Sequence, residues 1–312
     1  MSVGCQLVLC TDELSIPMVL EKADKIMYEE KKNEGKGKIE SRGKDHMRKE
    51  IDKFVEQRLI SVVPSRRQIA HQRREFYGFV HFTVNTFTGK EWGDGTEDEA
   101  IFNPVKMDAD QWCDALCAAG MKGLILTCKH HDGFCLWPSR YTTHTVAASS
   151  YRDGKGDIVK EVSEACKRHG LDFGIYLSPW DRNNYLYGQG KPYDDYFVNQ
   201  LTELLTQYGP IFAVWFDGAC GEGSNGKKQY YDWERYYEVI RRLQPNACIH
   251  VCGPDVRWCG NEAGSTRESE WSVVPLRTRD TEKIQETAKS RTIRSLESAL
   301  LVRQIRIWEA MN

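Results

Sequence analysis

The sequence lacks an excess of charge of either sign, because 43 Lys and Arg stand against 45 Asp and Glu, a formal net charge of −2. That balance argues against a nucleic-acid-binding protein and against a polybasic membrane-surface protein. The sequence also lacks any apolar run approaching the ~20 residues of a membrane span. Its first 15 residues, MSVGCQLVLCTDELS, lack the basic region and long apolar core of a signal peptide. We therefore expect a cytoplasmic protein with neither nucleic acid nor membrane as a partner.

The 11 cysteines include no CxxC pair. A zinc site needs tighter spacing than these cysteines have, so we predict buried, reduced thiols and no metal ligands among them. That prediction suits a reducing compartment.

The middle of the chain, from about residue 62 to 276, alternates apolar runs with amphipathic stretches. The predicted strands are 76–82, 122–130, 171–179, 211–217, 247–253 and 270–275, and the predicted helices are 108–120, 157–170, 193–209 and 229–243. Continuous apolar strands that alternate with helices predict a parallel sheet covered by helices.

Polar and titratable side chains follow several of these strands at the point where each one ends. They are His81, His130 with His131, Tyr176 and Asp217. A doubly wound sheet concentrates its site at one switch point, whereas a barrel draws site residues from many strands. The fold class is therefore predicted to be α/β, a (β/α)8-type barrel. Since a barrel needs eight strands and we count six, we expect it to be truncated at its C-terminal end.

The stretch TCKHHDGFCLWPS contains adjacent histidines, His130 and His131, followed by an aspartate. They could bind a metal, hydrogen-bond a hydroxylated substrate, or be satisfied structural histidines. Adjacent residues on a strand point to opposite faces, so the side chains of His130 and His131 both face the barrel mouth only if the strand ends before them. The pair Glu91–Trp92 in NTFTGKEWGDG suits a sugar, with a carboxylate for vicinal hydroxyls and an indole for C–H packing. The same two residues are also consistent with an ordinary polar loop that has no role in binding.

Asp217 ends the apolar run IFAVWFDG, two residues after Trp215 and on the same strand face. A buried carboxylate is costly unless it is paired or used. A second acid in a following loop would allow glycoside hydrolysis, in which one carboxyl attacks or activates water and the other protonates the leaving oxygen. Paired acids also occur as metal ligands or as surface charge. The downstream candidates are Glu222, Glu262, Glu268 and Glu270.

The motifs KHHDGF, WFDGA and GNEAG, in this order, resemble those of the α-L-fucosidases of glycoside hydrolase family 29, over residues 62–276. The resemblance implies a retaining exo-α-L-fucosidase without a metal or organic cofactor, acting on fucosylated oligosaccharides. It assigns Asp217 as the nucleophile and Glu262 as the acid/base, with Glu268 and Glu270 in reserve. The residues expected to surround fucose are His81, His130, His131, Tyr176 and Trp215.

NTFTGKEWGDG resembles the branch of the family that removes α-1,3- and α-1,4-linked fucose, with Glu91 and Trp92 as the branch-specific wall. The implied mechanism is a double displacement, for which two carboxyls should lie about 5–5.5 Å apart. The alternative function is a truncated, catalytically incompetent remnant that binds glycans weakly.

Residues 1–50 contain ADKIMYEEKK, which resembles the closing helix of a GGDEF diguanylate cyclase domain without its catalytic signature. We expect a helical segment without cyclase activity. An unrelated amphipathic helix and a helix that docks on a signalling partner are the alternatives. Residues 277–312 are predicted to be a polar tail with a helix, in which Leu300 and Leu301 lie near helical spacing, and without further strands.

Overall fold

The computed structural model describes residues 63–256 together with the backbone of two short strands at 273–276 and 300–303. The chain divides into two compact units, one holding the described residues 66–256 and the other holding the two short strands. The predicted helical segment at 1–50, and the candidates Glu262, Glu268 and Glu270, lie outside the described residues.

Strands and helices alternate through the larger unit. The strands are β1 (Gly78–Val80), β2 (Gly123–Lys129), β3 (Asp172–Leu177), β4 (Ala213–Phe216) and β5 (Cys248–Val251). The helices are α1 (Arg66–Arg74), α2 (Asn85–Thr88), α3 (Ala109–Ala118), α4 (Ile158–His169), α5 (Lys191–Gln207) and α6 (Trp233–Leu243). No helix within residues 63–256 has the length and apolar character needed to cross a bilayer.

The five strands form one sheet in the order β1-β2-β3-β4-β5, and every neighbouring pair is parallel. This confirms the predicted α/β fold with a parallel sheet. Each strand adds to the same edge as its predecessor, so the described sheet lacks the reversal of order that defines a doubly wound fold. Closure into an eight-stranded barrel stays a prediction.

The helices begin and end where the sequence supplies capping residues. Asp108 accepts a hydrogen bond from the Gln111 amide at 3.0 Å at the start of α3. Asp157 accepts one from the Lys160 amide at 2.9 Å at the start of α4. Helix α4 stops at Gly170, whose φ of 70° lies in the left-handed region that glycine enters without steric cost. The predicted helix boundaries follow from these side-chain caps.

The two faces of the sheet carry different apolar clusters. Val214 and Phe216 of β4 pack in the large cluster that also includes buried residues of α4, α5 and α6, whereas Ala213 and Trp215 belong to a smaller cluster with Ile125. Alternate residues of one strand point to opposite faces, which explains this division. The smaller cluster lies under the candidate site.

The last predicted strand, 270–275, does not belong to the parallel sheet. Residues Val273–Leu276 (β6) pair antiparallel with Leu300–Arg303 (β7). The prediction of a tail without strands is therefore wrong at 300–303. Apolar spacing in LESALLVRQI fits a helix, but LLV with Arg303 also fits a short strand, and periodicity does not separate the two in so short a run.

Helix α1, which the sequence analysis did not predict, is bound to β5 through a buried carboxylate. Asp255 accepts hydrogen bonds from Arg67 Nε at 3.0 Å and from the Ile249 amide at 2.8 Å, and it also pairs with Arg241. His71 of α1 adds a contact of 3.0 Å between its Nε2 and that of His250. These polar contacts, which a hydrophobic pattern does not reveal, hold a helix that is rich in arginine.

The register between β2 and β3 shifts at the end of β2, between Thr127 and Lys129. The shift turns Lys129 toward α5, where its ammonium donates to Asp181 Oδ2 at 2.9 Å and to Gln200 Oε1 at 3.0 Å. Both charged side chains are almost fully buried, at 0% and 1% exposure. Because β2 ends at Lys129, both histidines that follow are free of the strand alternation.

We predict that Lys129→Met lowers the free energy of unfolding by about 3–5 kcal/mol, because it leaves the Asp181 carboxylate buried without its cation. Urea denaturation followed by circular dichroism measures the change. Lys191→Met is the matched control, since Lys191 pairs with Asp195 at 2.7 Å but is 78% exposed, and exposed pairs contribute little. Equal stability of the two variants would contradict the importance assigned to the buried pair.

Candidate active site

The side chains predicted at the strand ends come together at the carboxyl ends of the parallel strands. The rings of His130 and His131 lie 4.2 Å apart, and the Tyr176 ring lies 5.6 Å from that of His81 and 5.8 Å from that of His130. Asp217 follows directly after β4 and faces this group. The site therefore draws on the ends of β1, β2, β3 and β4.

Asp217 is a partly exposed carboxylate with two short hydrogen bonds. The Tyr176 hydroxyl donates to its Oδ2 at 2.6 Å, and the Ala219 amide donates to its Oδ1 at 2.8 Å. The side chain is 28% exposed, so it is reachable from solvent. Because the carboxylate lies just beyond the carboxyl end of β4, it avoids the desolvation that a position within the strand would impose.

The tautomer of His131 follows from its contacts. Ser178 Oγ donates its only proton to the Trp180 carbonyl at 2.7 Å, because a carbonyl only accepts. His131 Nδ1, 2.7 Å from the same Oγ, must therefore donate to it. In the neutral ring this leaves a lone pair on Nε2, which lies 3.9 Å from Asp217 Oδ2. Burial lowers the pKa of His131 to about 4, although the Asp217 carboxylate opposes the shift.

His130 and His81 complete the group of rings. Burial, with a further contribution from the neighbouring histidines, lowers the pKa of His130 to about 2. Within the described residues, its Nδ1 is a buried atom without a hydrogen-bond partner. The ring of His81 lies 4.4 Å from that of Phe79, tilted by 46°, and Phe79 packs against the smaller apolar cluster. At neutral pH, His130 and His131 are therefore uncharged, and His131 faces Asp217 as a group that forms hydrogen bonds.

Three indoles belong to the candidate site or pack directly beside it, those of Trp92, Trp180 and Trp215. Trp215, which is 6% exposed, stacks on His250 at 5.2 Å. Trp92, which is 48% exposed, meets His131 edge to face at 5.4 Å and Trp180 at 5.6 Å. Glu91, beside it, also has an exposed side chain. Flat aromatic faces with a few fixed polar groups are the composition expected of a sugar site.

Asp132, which follows the two histidines, is fully buried and turned away from Asp217. It accepts hydrogen bonds from Asn85 Nδ2 at 2.8 Å and from the Phe134 amide at 2.7 Å. Burial raises the pKa of this carboxyl to about 6. Asp132 therefore holds the loops that follow β1 and β2 together, and it does not enter the group of histidines.

Neither a metal cluster nor a second acid is seen beside Asp217 in the described part of the chain. Within residues 63–256, no three His, Cys, Asp or Glu side chains are arranged to hold a metal ion. Glu222, five residues after Asp217, is exposed, and its backbone carbonyl accepts a hydrogen bond from Trp180 Nε1 at 3.0 Å. The other candidates for the second acid are the three glutamates beyond Val256, outside the described residues.

Comparison with known proteins agrees with the site. The family described as Alpha-L-fucosidase matches residues 61–278. The chain belongs to the α-L-fucosidase family. It is 45% identical over 212 residues to Alpha-L-fucosidase 1 of Arabidopsis thaliana, which covers 68% of this chain and 42% of that protein. The chain thus spans about two fifths of the length of this curated relative.

Solved structures show the same likeness. A glycoside hydrolase 29 family member from an unknown rumen bacterium matches with a TM-score of 0.65 and 47% identity, over 68% of this chain and 41% of that one. A Ruminococcus gnavus GH29 fucosidase in complex with fucose matches with a TM-score of 0.62 and 33% identity, over 77% and 52%. The fold of this chain is therefore similar to that of GH29 fucosidase structures over about two thirds to three quarters of its length.

Sequence reasoning missed part of the surroundings that this fucosidase-family site depends on. Trp180, Asp181 and Arg182 follow β3 in the run SPWDRN and line or support the site. The signal was a tryptophan with charged neighbours directly after a predicted strand end. Ser178 also follows β3, but its hydrogen bond with His131 is a tertiary contact that spacing does not predict.

We predict that the free energy of unfolding falls as the pH drops from 6.5 toward 4. The folded chain keeps His130 and His131 neutral, whereas the unfolded chain protonates them below about pH 6.5, at a cost of up to about 1.4 kcal/mol per pH unit for each. Asp132 acts in the opposite direction. Its raised pKa makes the folded chain take up a proton between about pH 6 and 4, so its contribution to stability is present at low pH and lost as pH rises.

Urea denaturation at several pH values tests this balance. His130→Gln should make the free energy of unfolding fall less steeply as the pH drops, and Asp132→Asn should make it fall more steeply. A wild-type free energy of unfolding that is constant from pH 7 to 4.5, or a pair of variants that move the slope in the same direction, would contradict the assignment.

Proposed function

We propose that the chain is the catalytic part of a retaining exo-α-L-fucosidase that hydrolyses terminal α-1,3- and α-1,4-linked L-fucose. The observation that carries the proposal is the placement of Asp217. Its carboxylate is 28% exposed at the end of β4, it receives 2.6 and 2.8 Å hydrogen bonds, and the neutral ring of His131 lies 3.9 Å from it. The family membership supports the substrate class, as does the fucose bound to the Ruminococcus gnavus relative.

The group of rings suits fucose, a 6-deoxy sugar with hydroxyls on one part and a methyl group on another. The lone pair on His131 Nε2 accepts a hydrogen bond from a sugar hydroxyl. The Trp215 indole is held by its stacking on His250, and its exposed fraction of 6% leaves only a small part of it for contact with C–H groups. Uncharged hydrogen-bonding groups bind hydroxyls without competing with the glycosidic carbon for the Asp217 carboxylate.

The proposed reaction has two displacements. In the first, Asp217 Oδ2 or Oδ1 attacks the anomeric carbon, while a carboxylic acid donates its proton to the glycosidic oxygen. The C–O bond to the leaving group breaks as the ester bond to Asp217 forms. In the second, the same acid, now ionised, takes a proton from water. Water oxygen then bonds to the anomeric carbon, the ester breaks and fucose leaves with its original anomeric configuration.

Glu262 is the proposed acid/base, with Glu268 and Glu270 as the other candidates. A double displacement requires its carboxyl to lie about 5–5.5 Å from that of Asp217. We further propose that the sheet continues into a (β/α)8-type barrel. The sequential order of the five parallel strands supports this arrangement, because barrel strands add one after another around the axis.

The proposed linkage preference depends on Glu91 and Trp92. Trp92 stands at the rim, packed edge to face on His131 and Trp180, with about half of its surface exposed. An indole at the rim contacts the sugar to which fucose is attached. It favours a branched saccharide, in which a second sugar substituent lies beside the fucose. Faster hydrolysis of an α-1,3/4-fucosylated Lewis-type trisaccharide than of an α-1,2-fucosylated disaccharide is the expected result.

We predict that Asp217→Asn lowers kcat/KM for the Lewis-type trisaccharide by on the order of 10³-fold or more, because the carboxamide does not form the ester intermediate. Released fucose is measured by an enzyme-coupled assay. Asp114→Asn is the control, since Asp114 is 73% exposed on α3 and pairs with His169. A folded wild-type chain that releases no fucose, or an Asp217→Asn variant as active as the control, would contradict the proposed function.

We predict that Glu262→Gln, but neither Glu268→Gln nor Glu270→Gln, makes the rate depend on the leaving group. Without an acid, the trisaccharide is cleaved slowly, whereas α-L-fucosyl fluoride needs no proton and forms the intermediate normally. Added azide should then release the variant from its ester as α-L-fucosyl azide, which proton NMR identifies. The same behaviour in one of the other two variants would reassign the acid/base to that glutamate. The β-anomer as the first product from wild type would exclude retention.

A further inference from the structure

Three loops that follow β1, β2 and β3 interlock beside the proposed site. We infer that residues 181–183, named here the clasp, position Trp92, and that through this indole they set the preference for a fucoside whose leaving group is a branched saccharide. The inference rests on the proposed function. Arg182 and Asn183 are positioning residues in this scheme, because they act through Trp92 and do not touch the reacting atoms.

The clasp holds the backbone that follows Trp92. The Arg182 guanidinium donates to the Gly93 carbonyl, and Asn183 Nδ2 donates to the Gly95 carbonyl at 2.8 Å. The two carbonyls belong to the first and third residues after the tryptophan. With both of them bound, the peptide carrying Trp92 has little freedom to rotate, although the indole itself stands half exposed at the rim.

The loops also pack so closely at Gly95 and Gly93 that neither position has room for a Cβ atom. A Cβ on Gly95, whose φ is 87°, would lie 2.5 Å from the Arg182 carbonyl carbon. A Cβ on Gly93 would lie 2.7 Å from the Asp132 Cβ. The Trp92 loop is therefore pressed against both neighbouring loops, so its position depends on theirs.

The clasp is itself fixed from below. Asp181 Oδ1 accepts the amides of Asn183 and Asn184 at 3.1 and 2.9 Å, while its Oδ2 binds Lys129 in the sheet. The Arg182 amide donates to the His131 carbonyl at 2.8 Å. The same short segment thus contacts the loop of the fucose-facing histidines and the loop of the rim tryptophan. This linkage holds the indole at a constant distance from the group of rings.

A rigid indole at the rim recognises a ring beyond the fucose. Trp92 packs on Trp180 at 5.6 Å and on His131 at 5.4 Å, both nearly edge to face. Its remaining surface faces away from those partners and has the area for one pyranose ring. Since ordering a mobile loop costs free energy on binding, a loop already held by the clasp binds that ring more tightly.

The test compares two substrates that share the fucose and differ in the leaving group. Wild type, Arg182→Gln, Trp92→Ala and the double variant are assayed with a Lewis-type trisaccharide and with α-L-fucosyl fluoride, whose leaving group contacts no wall. We expect Arg182→Gln to lower kcat/KM for the trisaccharide on the order of 10- to 100-fold and to leave fluoride hydrolysis within about threefold. The double variant should be no worse than Trp92→Ala alone.

Arg168→Gln is the matched control, because Arg168 is also a hydrogen-bonded arginine, which donates to the Asp110 carboxylate at 2.8 and 3.0 Å. It lies near the end of α4, ahead of β3, whereas the clasp follows the carboxyl end of β3. This variant should leave both substrates unchanged. Equal losses on both substrates by Arg182→Gln, or effects of Arg182→Gln and Trp92→Ala that add, would overturn the inference, because a merely structural arginine behaves in that way.

A second readout does not depend on turnover. In chains labelled with 5-fluorotryptophan, the fluorine resonance of Trp92, identified by its loss in Trp92→Phe, should shift or broaden in Arg182→Gln and Asn183→Ala. An unchanged resonance in both variants would overturn the positioning role. If wild type cleaves neither substrate, the proposed function and the substrate preference fail together, while the resonance still decides whether the clasp positions the indole.

Discussion

The buried ion pair between Lys129 and Asp181 is the contact on which the arrangement of the candidate site depends. Removing two charges from water is unfavourable, so such a pair persists only when its remaining hydrogen bonds are satisfied. Here the Lys129 ammonium donates a further hydrogen bond to Gln200, and the Asp181 carboxylate accepts two hydrogen bonds from backbone amides. The pair joins the end of β2, the loop after β3 and helix α5. It therefore fixes the loops that carry His131, Trp180 and Arg182 relative to the sheet.

The electrostatics of the site follow from burial. His130 and His131 lie where water is excluded, and this lowers their pKa values and keeps them neutral. Asp217 lies just beyond the carboxyl end of β4, where a tyrosine hydroxyl and a backbone amide donate hydrogen bonds to it. A carboxylate that faces neutral donors and acceptors keeps its lone pairs for an electrophile better than one held in an ion pair. Asp181, by contrast, is paired and buried, and this difference in environment is what the proposed role of Asp217 depends on.

Much of the fold was predictable because its determinants are local. Asp108 and Asp157 cap helices three residues before the amides they accept, and apolar runs mark four buried strands. For the site, individual residues were predictable but the contacts between them were not. Asp217 was evident from its place after an apolar strand, but the hydrogen bond from Ser178 to the Trp180 carbonyl, which sets the His131 tautomer, depends on a loop conformation. The pairing of 273–276 with 300–303 was missed because two short apolar runs carry no information about which strand they will join.

The distribution of the site along the chain has a consequence for the proposed chemistry. The proposed nucleophile, Asp217, and the rings near it come from the ends of four adjacent strands, whereas Glu262 belongs to a segment that follows β5. Trp92, after β1, and Glu262 would both act on the leaving saccharide, one through its ring face and one through its glycosidic oxygen. Because a retaining mechanism holds its two carboxyls about 5–5.5 Å apart, a saccharide displaced by a shift of Trp92 also moves its oxygen away from the acid. Recognition of the leaving group and its protonation are therefore coupled, and a loop that fixes the indole contributes to both.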